Sequence, residues 1–215
     1  GQTAVELADV IRELSRDKGS ECAWTPKICP IVTVGPSTRV GHVSPTQQET
    51  VATGGLVHVD FGVKHQGYCA DLQRMWWVAE QGEGVPEPVQ TAFDTIVKAI
   101  EKAAAALKPG VVGWEIDKIA RDTLTSAGYE EYGHALGHQL GRSAHDGGGA
   151  ALAPRWERYN ETPFRPVEKS SVFTLEPSIL VPDYGLIALE EDVLVTADGC
   201  EFLSKPQRTL PVLEF

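Results

Sequence analysis

Asp60 and Asp71 stand eleven residues apart in the stretch 54–78, GGLVHVDFGVKHQGYCADLQRMWWV. Val57, Val59, Phe61 and Val63 alternate with His58, Asp60 and Gly62, the period of two expected of a half-buried strand. Lys64, His65, Gln66 and Gly67 suit a short hairpin loop, and residues 68–78 return as a second strand. A loop centred between His65 and Gln66 sets Asp60 directly opposite Asp71 on one face of the sheet, with Cβ atoms about 5 Å apart. Two carboxylates so placed repel each other, and a divalent cation between them removes the repulsion. A register slip of one residue would instead leave one Asp simply exposed. Glu176 and Glu190 repeat the device. The turn Pro182-Asp183-Tyr184-Gly185, centred near Asp183 between residues 171–181 and 186–196, sets Glu176 across from Glu190. Counting from that turn does not separate Glu190 from Glu191.

Four carboxylates and one imidazole form an oxygen-rich donor set. It suits manganese, iron(II), cobalt or zinc, and not copper(I) or an iron–sulfur cluster. Two divalent ions balance four negative charges, and a pair about 3.5–4 Å apart can activate water and polarise a carbonyl, the equipment for amide hydrolysis. The imidazole comes from residues 132–149, YGHALGHQLGRSAHDGGG, which hold His134, His138 and His145. On a helix, the spacing of His134 and His138 would make a zinc pair, but that motif needs Glu directly after the first His and Ala135 stands there. Along a strand the two still share a face. A single His is more often a hydrogen-bonding surface or core residue than a ligand; three in one glycine-rich segment shift that balance. Gly147 to Gly149 lets the chain turn sharply rather than cradle phosphate, because no helix with a phosphate-binding Lys follows.

The elements that must position these residues read as mixed helix and strand. Thr3 and Glu6 fit a capping box ahead of a helix ending near Lys18, with Gly19 as its stop. Residues 31–34, IVTV, form a short strand, and a loop over 35–45 carries Arg39 and His42. Pro88 opens a long helix through Leu107, amphipathic by Val89, Phe93, Ile96, Val97 and Ile100, and Pro109-Gly110 stops it. A further helix runs from about Trp114 to Ala127. Residues 151–171 read as a polar loop in which Trp156 and Tyr159 follow the histidine segment; the other tryptophans, Trp24, Trp76, Trp77 and Trp114, read as core or surface aromatics. Short β-like pieces, 201–203 and 212–215, close the chain.

The chain is long enough, at 215 residues with 42% hydrophobic content, to bury one core. Thirty acidic residues against nineteen basic ones give a net charge of −11 without a basic cluster, which argues against nucleic acid and anionic membrane surfaces as partners. Cys22, Cys29, Cys69 and Cys200 make no CxxC pair and no zinc spacing, as expected of reduced thiols in a cytoplasmic protein. No apolar run reaches membrane-spanning length, and no signal peptide is visible.

The pieces HVDFGVKHQGYCADLQR, GHALGHQLGRSAHDGG, FTLEPSIL and LEEDVLVT, in this order over residues 2–203, resemble the pita-bread metallopeptidases: prolidase, aminopeptidase P and methionine aminopeptidase. The resemblance implies an α+β fold with a curved antiparallel sheet, outer helices and two pseudo-symmetric halves. It implies Asp60, Asp71, His138, Glu176 and Glu190 as ligands of two divalent ions, with manganese expected first and cobalt, iron or zinc as alternatives. It also prefers Glu190 to Glu191, which turn counting left open. Glu176 doubles as general base, His42 contacts substrate, and His145 stabilises the tetrahedral intermediate or shuttles a proton. His134, four before the metal His, is similar to the prolidase and aminopeptidase P branch. The implied function is hydrolysis of Xaa-Pro bonds in short peptides. Its rivals are an exopeptidase without proline preference, of methionine aminopeptidase type, and a metal-free binding module or creatinase-like hydrolase. Prolidase-type members carry a separate N-terminal domain, so residues 1–215 are expected to be a single catalytic domain, with a homodimer as one arrangement. Ala188 stands where the aminopeptidase P branch often has Arg, which leaves that support to other residues.

Overall fold

The computed structural model of the chain describes residues 1–38 and 43–214. His42 and Arg39 therefore lie outside the described residues. Helix α1 (Ala4–Asp17) starts as expected: the Thr3 hydroxyl accepts from the Glu6 amide at 3.2 Å, and the Glu6 carboxylate accepts from the Thr3 amide at 2.8 Å. Its apolar stripe, Ala4, Leu7, Ala8 and Ile11, packs on Val32 and Val59, covering the outer face of the first sheet.

That sheet contains β1 (Glu21–Cys22), β2 (Ile31–Val34), β3 (Gly55–His65) and β4 (Tyr68–Ala79). Strand β3 pairs with β1, β2 and β4, all antiparallel. The register corrects one expectation. His65 pairs with Tyr68, so the loop is only Gln66-Gly67, with φ of 49° and 85°. Positive φ at both positions gives the primed turn whose twist matches the flanking strands, and Gly accepts it freely. Asp60 consequently pairs with Gln73, and Asp71 with Gly62. The displacement from the expected pairing is two residues, which preserves the face. Asp60 and Asp71 are thus diagonal neighbours on one face rather than directly opposed.

The second half begins with α2 (Glu87–Ala106) and α3 (Gly113–Ser126), which pack on each other. Then come β5 (Gln139–Leu140), β6 (Val172–Leu175), β7 (Ser178–Val181), β8 (Gly185–Ala188), β9 (Glu191–Val195) and β10 (Cys200–Phe202). Strands pair in the order β10-β9-β6-β5, and β7 pairs with β8 beyond a break. The β6–β9 and β7–β8 ladders share one register, which carries Glu176 across from Glu190 in the break, as expected. A final strand, β11 (Val212–Glu214), joins β4 in parallel. No helix among the described residues is long and apolar enough to cross a membrane.

The main core lies between the sheets and helices. Val89, Phe93, Ile96 and Ile100 of α2 pack with Leu56, Met75 and Trp77 of the first sheet and Ile179, Ile187 and Val193 of the second. Burial of such side chains is worth about 1.5–3 kcal/mol each. In the histidine segment, Gly137 packs closely against β6. A Cβ on Gly137 would meet the Thr174 carbonyl oxygen at 1.8 Å, whereas one on Gly133 meets nothing within 4 Å. Gly137→Ala is therefore expected to lower stability by about 1–3 kcal/mol or more, and Gly133→Ala to stay within about 0.5 kcal/mol, as read by urea denaturation of each variant.

Candidate metal centre

Strands from both halves bring the carboxylates together. Asp60 and Asp71 project from β3 and β4, Glu176 follows β6, and Glu190 precedes β9. His138 leads into β5, where its amide donates to Thr174 Oγ1 at 3.1 Å. One ligand atom each from Asp71, His138 and Glu190 lie within 4.8 Å of one another. The Asp60 charge raises the pKa of Asp71 after burial, and Glu176 Oε1 lies 3.4 Å from His138 Nε2. All five residues line one cavity of about 520 Å³.

The imidazoles are oriented differently. His138 Nδ1 lies 3.1 Å from the Gln139 carbonyl. A carbonyl only accepts, so the proton sits on Nδ1 and the Nε2 lone pair faces the carboxylates. The His145 ring lies 4.2 Å from that of His138, tilted by 56° to it, and also lines the cavity. His134 has both nitrogens engaged: Nδ1 donates to the Ala135 carbonyl at 2.8 Å, and Nε2 accepts from Ser178 Oγ at 3.0 Å. It forms a fixed part of the cavity wall.

The electrostatics favour a cation. Burial pushes Asp60 up to about 7 and Glu176 up to about 8, with the Asp60 charge adding to the latter. Burial, then the neighbouring carboxylates, raises Asp71 and Glu190 well above the usual carboxylate range. Burial pulls His138 down to about 4, keeping it neutral as a ligand must be. Asp60 Oδ1 and Asp71 Oδ1 are buried with no hydrogen-bond partner. Orphaned carboxylate oxygens beside a neutral imidazole are a donor set that fits divalent ions.

The pattern of metallopeptidase family M24 matches residues 1–197. The chain belongs to this family. It is 30% identical over 211 residues to a Xaa-Pro dipeptidase of Pyrococcus horikoshii, covering 98% of this chain and 55% of that protein. The crystal structure of an X-Pro aminopeptidase from Thermotoga maritima MSB8 superposes with a TM-score of 0.85 at 29% identity, over 99% of this chain and 56% of that one. A methionine aminopeptidase from Rickettsia prowazekii shares the fold alone, with a TM-score of 0.74 at 21% identity over 94% of this chain and 85% of that one. The M24 pita-bread fold implied by the sequence motifs is thus the observed one. The chain spans about half the length of the curated relatives it matches.

Several residues of this M24 site escaped the sequence reading. Trp24, read there as core or surface, lines the cavity with Ile28, Ile31 and Tyr159. A Cβ on Gly62 would meet the Trp24 ring at 2.1 Å. A glycine inside a strand signals such a close approach, and Gly62 could have pointed to this wall. Gln73 and Asp192 carried no sequence signal for a role in the site: the Gln73 amide donates to Glu190 at 2.9 Å, and Asp192 Oδ2 accepts from the Asp71 amide at 3.0 Å. Trp156 lies outside the cavity, stacked 6.2 Å from Tyr159.

The shifts set a pH dependence. A carboxyl whose folded pKa is raised contributes stability that is lost as pH rises from its ordinary value through its folded one. The depressed histidines, His134, His138 and His58, work oppositely, but only below their ordinary 6.5, down to about 4 for the latter two. Between pH 6.5 and about 8 the carboxyls act alone. Chelator-treated protein should lose several degrees of Tm across that window, and millimolar manganese should raise Tm and flatten the slope. Calorimetry with and without manganese reads both; identical curves would contradict the site.

Proposed function

We propose that residues 1–215 are the catalytic domain of a dinuclear metallo-exopeptidase that hydrolyses Xaa-Pro bonds in short cytoplasmic peptides. One observation carries this reading: four carboxylates and a neutral imidazole with its Nε2 turned inward line a single cavity. Asp60, Asp71, His138, Glu176 and Glu190 would hold the ions, manganese first among them. When bound, such ions supply Lewis acidity, polarising the scissile carbonyl and lowering the pKa of water.

The protein groups supply the rest. Glu176 lines the cavity beside His138, placed to take a proton from water and pass it to the departing proline nitrogen. Its Oε1 accepts from Thr174 Oγ1 at 3.2 Å, which holds the carboxylate in place. His145 is placed against His138 to donate a hydrogen bond to the carbonyl oxygen as negative charge develops there. His134, locked by Ala135 and Ser178, shapes the wall beside them. His42 is assigned to substrate contact by the sequence motif. Trp24, Ile28, Ile31 and Tyr159 offer an apolar wall suited to a pyrrolidine ring. The names of the relatives, an Xaa-Pro dipeptidase and an X-Pro aminopeptidase, support the same substrate class.

Manganese-reconstituted protein should cleave Xaa-Pro dipeptides or Xaa-Pro-Yaa tripeptides in preference to Met-Ala-Yaa. The reverse preference would overturn the proline assignment. His138→Ala should lose metal and activity together. His145→Ala should keep both ions, measured by elemental analysis, while kcat falls about 100-fold or more with KM little changed. Near-normal kcat in metal-loaded His145→Ala would make that residue structural.

A further inference from the structure

Behind the carboxylates runs a chain of buried polar side chains that the reading above does not use. Glu190 Oε2 accepts from Gln73 Nε2 at 2.9 Å. Gln73 Oε1 lies 2.9 Å from His58 Nε2, and His58 Nδ1 lies 3.4 Å from Thr33 Oγ1. The strand register builds this chain. Thr33 on β2 pairs with His58 on β3, while Gln73 on β4 pairs with Asp60, one diagonal step from His58 on the same face. Thr33 is fully buried, and His58, Gln73 and Glu190 are at most 3% exposed. Bulk water cannot replace a partner lost there.

Donor and acceptor roles propagate along the chain. A carboxylate only accepts, so Gln73 must turn its NH₂ toward an ionised Glu190. Its carbonyl then faces His58, which must carry its proton on Nε2. Nδ1 is left to accept from the Thr33 hydroxyl. Each step fixes the next, and the Gln73 amide cannot flip without leaving two buried groups mispaired.

We propose that Gln73, clamped by His58, is a positioning residue for Glu190: it occupies Oε2 from behind and aims the rest of the carboxylate at the ions. The inference rests on the metal role proposed for Glu190. His58 acts only through Gln73 and touches neither substrate nor ion.

Manganese binding measured by titration calorimetry tests this. Gln73→Met, similar in length and unable to donate, should bind manganese about 10–100-fold more weakly than the parent. His58→Phe should weaken binding in the same direction, yet add nothing in the Gln73→Met background. A residue that merely supports the fold would lower Tm without this non-additive loss of metal affinity. Gln73→Met binding as tightly as the parent, or fully additive losses, would overturn the proposal. Should His58→Phe fail to fold, the ¹⁵N-labelled imidazole of His58 in the zinc-loaded parent gives a second measurement. A proton on Nε2 supports the relay; a proton on Nδ1 overturns it. A parent protein that binds neither manganese nor zinc would instead refute the metal reading itself.

Discussion

Asp60, Asp71, Glu176 and Glu190 cannot all ionise in one buried cavity unless positive charge offsets them. Burial is the largest cause of the upward shift at every one of the four, and their mutual repulsion adds at Asp71, Glu176 and Glu190. Removing charged groups from water costs several kcal/mol each, even after relaxation. A fold that tolerates this does so because the surrounding core is stable enough to hold the strands in register. The extensive packing of α2 against both sheets supplies that stability.

The two halves are joined near the cavity by a few backbone and side-chain contacts rather than by a continuous sheet. Gln73 and Glu190 make an isolated bridge, with the Glu190 amide 3.4 Å from the Gln73 carbonyl. Arg74 donates to the Glu190 carbonyl at 2.8 Å and pairs with Glu191 at 2.9 Å. Asp192 receives the Asp71 amide. Each contact joins β4 to the end of the second hairpin, and each ends on or beside a residue of the cavity. Adjacent carboxyls in LEED thereby take different tasks: Glu190 faces the cavity, while Glu191 faces Arg74 and the Gln207 amide.

Periodicity made the helices readable, and motif order made the site readable. The capping box of α1, the apolar stripe of α2 and the Pro-Asp-Tyr-Gly turn are local signals, and the structure follows them. The first hairpin shows where local reading stops. Gln66-Gly67 and the longer Lys64–Gly67 are both acceptable loops by composition, and only the added ladder pairs of a two-residue turn decide between them. Face survived that error because it amounted to two residues, and direct opposition did not. The roles of Trp24 and Gln73 in the site were invisible for another reason. Their importance comes from residues far along the chain, Gly62 for one and Glu190 for the other, and no local pattern records such pairings.

The histidine segment poses the hardest problem of precision, because outside β5 it has almost no regular structure. A buried pair on α3 holds it instead. Asp117 Oδ1 accepts from the Leu136 amide at 2.9 Å, and Arg121 donates to the carbonyls of Tyr132 and His134. The Arg121 guanidinium lies 4.1 Å from the Tyr132 ring centre and 4.8 Å from that of Trp156, so it also ties in the loop that carries Tyr159. Burial raises the pKa of Asp117 despite its hydrogen bonds to Arg121. Desolvation thus outweighs the attraction, and the pair is a poor source of net stability. Its value lies in direction. Apolar packing in its place would leave three backbone groups of the segment unpaired, and the segment would lose the frame that sets His138 against Glu176 and His134 against Ser178.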